Sequence, residues 1–181
     1  MITAKAIVST EALKKAVDDV VALKQGKATV GWLESAKYPN GTSVAYVATI
    51  QEFGSSKVGI PPRPFWRPTI ISESVKWRKL AEQQFKKIVN GSATSHDLFE
   101  AVGAKASGDI RRAISKVTSP PLSPVTLQLR VWKKKGMKIG GTQVRWARAL
   151  VAKGVATTTG VNAHPLADTG VMMQTLTNVT E

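Results

Sequence analysis

Residues 51–68 read QEFGSSKVGIPPRPFWRP, and no other stretch restricts the backbone as much. Pro61, Pro62, Pro64 and Pro68 each fix φ near −65° and remove a donor N–H, so this segment cannot lie inside a sheet. A stiff, basic, aromatic segment of this kind positions something: a partner, a nucleic acid or its own fold. The residues around it carry punctuation of the same sort. Tyr38-Pro39-Asn40-Gly41 is a turn signal, Pro120-Pro121 breaks the chain, and Ser123-Pro124 is an N-cap followed by proline at the first helical position.

Between these breaks the apolar spacing predicts elements. Ile2–Val8 alternates as a short strand, and Thr10 caps a helix that ends at Gly26. Leu13, Ala16, Val17, Val20, Val21 and Leu23 give that helix one buried face. Residues 27–34 read as a strand. Residues 43–53 fit a helix stopped by Gly54, although their β-branched content also suits a strand. Ser72 caps a helix to Asn90, with Val75, Trp77, Leu80, Phe85, Ile88 and Val89 as its apolar positions. Thr94 or Ser95 caps another, which Gly103 and Gly108 weaken or bend. A basic amphipathic helix runs from Ser123-Pro124 to about Trp132. Residues 133–164 look like an insertion with a short helix at 144–153, and residues 171–179 form a last apolar stretch. Trp32 and Trp77 read as core. The sum is one domain, 1–181, of the α+β class: a small antiparallel β-sheet packed against several α-helices.

The 181 residues are 43% hydrophobic, enough for an ordinary core, and include no cysteine. Disulfides and thiolate metal sites are therefore excluded, and His96 and His164 lack a metal-ligand spacing. The expectation is no cofactor and no metal. No apolar run approaches the roughly 20 residues of a membrane span, and the first ten residues lack a secretory core. The expectation is a soluble protein made in the cytoplasm.

The net charge is +14 and uneven. Between Ala101 and Ala167, Asp109 is the sole acid against twelve Lys and Arg, among them Arg111, Arg112, Arg130, Lys133, Lys134 and Lys135. Such an excess suits an acidic partner, nucleic acid or protein, or a solvated face. Four of the tryptophans stand within two residues of Arg or Lys, a pattern that can stack bases or anchor a protein interface.

Catalytic motifs are scarce. Asp168-Thr169-Gly170 invites comparison with aspartic proteases. Only eleven residues follow Gly170, fewer than the second half of such a fold needs, and Gly140-Gly141 precedes the motif instead of serving as a flap. The better expectation is a structural cap, with Asp168, Thr169 and Gly170 opening a short C-terminal helix. There is no Gly-x-Ser-x-Gly and no P-loop. The chain reads as a non-enzyme.

In order, Val30-Gly31-Trp32, Tyr38 with Asn40-Gly41, Glu52-Phe53-Gly54, Ile60-Pro61-Pro62-Arg63-Pro64-Phe65, Pro120-Pro121-Leu122-Ser123-Pro124 with a basic helix after it, and Pro165-Leu166-Ala167-Asp168-Thr169-Gly170 resemble one family. It is the virion morphogenesis family of tailed bacteriophages, the tail-completion, neck or head–tail joining proteins. The resemblance covers most of residues 27–178. It departs in the long 133–164 span and in Ala167 and Val171-Met172-Met173, where larger residues and an Arg-Leu type pair are usual. It implies a structural virion protein at the head–tail junction, a ring of itself with the tail's symmetry, often a hexamer. Its neighbours would be phage connector, tail terminator or tail tube proteins, with no membrane. In such a ring the proline segment would lie against a neighbour, with Glu52, Phe53, Pro62, Arg63, Phe65, Trp66 and Arg67 as interface candidates and Phe65 and Trp66 as anchors. The basic surface would dock on acidic rings or make sequence-independent contact with passing DNA. The rival reading is a free nucleic-acid-binding module.

Overall fold

A computed structural model describes residues 10–181; the Ile2–Val8 strand lies outside the described residues. Helix α1 (Thr10–Ala22) leads into strand β1 (Ala28–Trp32). Then follow α2 (Val44–Phe53), a 3-10 turn at Ser56–Val58, α3 (Trp66–Val89), α4 (Ser95–Lys116), α5 (Pro124–Lys134), α6 (Gly141–Ala152), the single turn α7 (Val171–Gln174) and β2 (Leu176–Thr180). The class is α+β in one domain, as the periodicities predict.

The two strands pair antiparallel, from Ala28 opposite Thr180 to Trp32 opposite Leu176, so the chain's last strand closes on its first described one. Helix α4 lies across this sheet at Gly103. A Cβ there would come within 3.1 Å of the Asn178 Cβ and 3.4 Å of the Ala28 Cβ. Gly103 is therefore a close-approach residue, and α4 runs through both Gly103 and Gly108 without a break. The main core joins Val44 and Ala48 of α2, Phe65, Ile110 and Ile114 of α4, Leu166, Met172 and Leu176, with Trp32 and Trp66 packed against it. The Trp32 Nε1–H donates to the Met172 carbonyl at 2.8 Å.

Local signals place most helix ends correctly. Ser43 accepts from the Tyr46 N–H, and Gly54, at φ 75°, stops α2. Thr94 and Asp97 form a reciprocal capping box on α4. Ser123 accepts from the Thr126 N–H, with Pro124 at the start of α5. The ambiguity at residues 43–53 resolves to helix.

Three expectations need correction. Helix α3 begins at Trp66, six residues before Ser72, inside the proline segment. Pro68 sits in its first turn, where a missing N–H costs no intrahelical bond. Helix α1 ends at Ala22, not Gly26, and its apolar face is exposed: Leu13, Val17, Val20 and Val21 lie on the surface and Leu23 is half-buried. Periodicity identifies an apolar stripe but says nothing of what covers it. Finally, Asp168 caps nothing. Gly170 is the N-cap residue of α7 by position, at φ 72°, without a side-chain cap, while the Asp168 carboxylate turns to Arg130 and Lys133.

Candidate assembly surfaces

The motif residues converge on two internal hubs. At the first, Glu52 ends α2 with its side chain buried. Its Oε2 accepts from the Phe65 N–H at 2.7 Å and the Trp66 N–H at 2.9 Å, and its Oε1 accepts from the Arg67 N–H at 3.2 Å and Nε–H at 2.9 Å. Thus a carboxylate thirteen residues upstream caps α3 at the positive end of the helix dipole, where Phe65 has no side chain able to do so. Burial pushes the Glu52 carboxyl up, but the hydrogen bonds from Trp66, Arg67 and Phe65 outweigh it and hold the group below the usual glutamate range. Gly54 is needed here: a Cβ would meet the Pro62 N at 2.8 Å and the Ile60 carbonyl at 2.9 Å.

The loop is fastened at its other end by Arg63, which is also buried. Its Nε–H donates to the Pro120 carbonyl at 2.8 Å, Nη2–H to the Pro121 carbonyl at 3.1 Å and Nη1–H to Gln51 Oε1 at 3.2 Å. The two proline motifs therefore hold each other. Phe65 is core, 2% exposed, and meets Trp32 edge-on at 6.4 Å. As buried groups, Glu52, Arg63 and Phe65 cannot be docking anchors. What reaches the surface is Phe53, 60% exposed, with the Arg67 guanidinium 4.5 Å above its ring, beside exposed Pro62 and half-buried Trp66. Phe53, Trp66 and Arg67 rim a groove of about 410 Å³ floored by Val30, Trp32 and Ala48.

The second hub is Arg130, nearly buried on α5. It donates to the carbonyls of Asn162, His164 and Pro165, and its Nε stands 3.3 Å from Asp168 Oδ1. Lys133 Nζ reaches Asp168 Oδ2 at 2.8 Å. The Pro165–Gly170 motif is thereby clamped to α5. Between that clamp, the Tyr38–Asn40 turn and Met137–Ile139 opens a larger cleft of about 740 Å³.

The expected basic patch is largely spent inside the molecule. Arg111 donates to the Leu176 carbonyl and Lys134 to the Gly160 carbonyl. Arg112 pairs with Asp109 at 2.9 Å, while Arg130 and Lys133 serve Asp168. Of the six, only the Lys135 side chain makes no hydrogen bond or ion pair among the described residues. Asp109, the lone acid of the stretch, is buried between α3 and α4 and takes the Trp77 indole N–H at 2.8 Å as well as Lys105 and Arg112. That role was not legible, because it depends on Trp77 of a different helix.

The outer surface is unusually apolar. Beside the α1 stripe, Leu33, Tyr46, Phe53, Val58, Ile70, Ile71, Val75, Phe85, Val89 and Trp146 are exposed. In comparisons with known proteins, no family model matches the chain, and neither a curated protein nor a solved structure matches it.

Proposed function

We propose that the chain is a structural subunit of a tailed-bacteriophage virion, a neck or tail-completion ring protein at the head–tail junction, whose work is assembly and not chemistry. The order of motifs motivates the family. The observation that carries the reading is the set of large apolar side chains that the described residues leave exposed, Leu33, Tyr46, Phe53, Val58, Ile71, Phe85 and Trp146 among them, because exposed apolar surface marks contact with another protein. A ring closes through heterologous contacts, in which two different patches of each subunit meet. Phe53 with its stacked Arg67 is one such patch. It is an aromatic–arginine anchor held rigid from beneath by Glu52, so docking costs little side-chain entropy. The neighbours are further copies of the chain and the connector, tail terminator or tail tube proteins, and the site of action is the virion after assembly in the host cytoplasm.

The test is assembly. Negative-stain images of particles lacking the protein should show filled heads apart from finished tails. Phe53→Asp should leave the monomer's circular dichroism unchanged and give the same unjoined particles. Complete, infectious virions without the protein would refute the role.

One observation favours the nucleic-acid reading. Lys135, Lys138, Arg145, Arg148 and Lys153, between the end of α5 and the end of α6, pair with no described carboxylate. Under that reading DNA binding would fall steeply with salt, with a slope set by these five cations.

A further inference from the structure

Helix α3 is apolar on two opposite sides. One side, with Thr69, Trp77, Leu80 and Ile88, faces the rest of the molecule. The other carries Ile71, Val75, Arg78, Glu82, Phe85 and Val89, all exposed, with Ile71 at 78%. Their spacing alternates four and three residues, which keeps all six on a stripe about 80° wide and about 27 Å long. This is the seam spacing of paired helices. No described residue covers it, and it is not part of the Phe53–Arg67 patch.

The order of residues along the stripe says what does. It reads apolar, apolar, basic, acidic, apolar, apolar. Turned end for end about a two-fold axis that crosses the stripe level with Leu80, whose own side chain faces inward, Ile71 falls opposite Val89, Val75 opposite Phe85 and Arg78 opposite Glu82. Every member then meets a complementary one, and both charges are matched across the contact. A parallel pairing in register would set Arg78 on Arg78 and Glu82 on Glu82. An isologous contact needs this property, that if i touches j then j touches i. Within one chain Arg78 Nε and Glu82 Oε1 are 3.8 Å apart in the open, a loose pair worth little by itself and available to a second copy.

We propose that two copies of this chain associate through α3, antiparallel, about a two-fold axis level with Leu80, with Ile71, Val75, Phe85 and Val89 as the dry seam and reciprocal Arg78–Glu82 pairs at its centre. The contact is independent of the head–tail reading. In the free protein it makes a dimer, and between rings it would join them face to face.

Charge mixing tests it. Arg78→Glu gives a wholly acidic centre and Glu82→Arg a wholly basic one, so each variant alone should self-associate at least about tenfold more weakly than wild type. Mixed in equal amounts, the two should pair with each other, since each then meets the opposite charge. Native mass spectrometry resolves the heterodimer, because the variants differ in mass. Ile71→Asp with Val89→Asp, both at exposed positions, should abolish association while circular dichroism stays unchanged. The proposal is overturned if wild type shows no self-association by sedimentation velocity, if either charge variant associates as wild type does, or if the mixture yields no heterodimer.

Discussion

Glu52–Arg67 and Glu82–Arg78 are the same pair of groups in opposite surroundings. The Glu52 side chain is 5% exposed and makes four hydrogen bonds, three of them to backbone N–H groups. The Glu82 side chain is 64% exposed and touches Arg78 only at 3.8 Å. A carboxylate taken out of water must be fully satisfied, and those bonds fix where α3 starts. A carboxylate left in water is held by little and stays available to another molecule. The motif half of this chain spends its charges on its own architecture, and the outer face of α3 keeps its charges and its apolar residues for contact.

Four substitutions would break or sharpen that contrast. Phe65→Ala has the largest expected effect, a loss of about 3–5 kcal/mol in urea unfolding, because the ring is core; a change below 1 kcal/mol would return Phe65 to the surface role that its sequence context suggests. Glu52→Gln should cost about 2 kcal/mol, since an amide offers one acceptor oxygen where the carboxylate offers two. It should also alter the pH dependence. The folded carboxyl lies below its ordinary value, so its stabilisation is complete above the unfolded value and disappears as pH falls through the folded one. Wild type should therefore lose stability relative to Glu52→Gln on acidification below about pH 4, and parallel pH profiles would contradict the assigned role. Arg130→Met should cost about 1–2 kcal/mol, because three carbonyls lose their donor while Asp168, 39% exposed, can rehydrate. Limited proteolysis should then cut near residues 157–165. Arg78→Ala should change monomer stability by less than about 0.5 kcal/mol, and its effect should be confined to association.

Much of the fold is legible because helix boundaries are local. Ser43 with Gly54, Thr94 with Asp97 and Ser123 with Pro124 act within one turn, and each ends or starts a helix where expected. The start of α3 is not legible, because its cap comes from Glu52 on another helix and the prolines that suggest a loop are compatible with a first helical turn. The candidate residues around the proline segment are in the right place but in mixed roles. Glu52, Arg63 and Phe65 are structural, while Phe53 and Arg67 are outward. Sequence alone cannot separate them, since an Arg-Pro-Phe run looks the same facing either way. The apolar positions of α3 are visible in the sequence, but Val75, Phe85 and Val89 stand there in one series with Trp77, Leu80 and Ile88, and only the structure separates the outward set from the inward one.

The sequence by itself determined the class, the element order and most helix ends, because those depend on residues within one turn of each other: caps, prolines and the 3.6-residue and two-residue periods. Only the tertiary structure decided which charges are buried, that Asp168 serves Arg130 and Lys133 and not a helix end, and that no described residue covers the two apolar stripes. Burial is set by contacts between residues far apart in the chain, such as Glu52 with Phe65 or Arg130 with Pro165, and no local pattern encodes the neighbour that will be there.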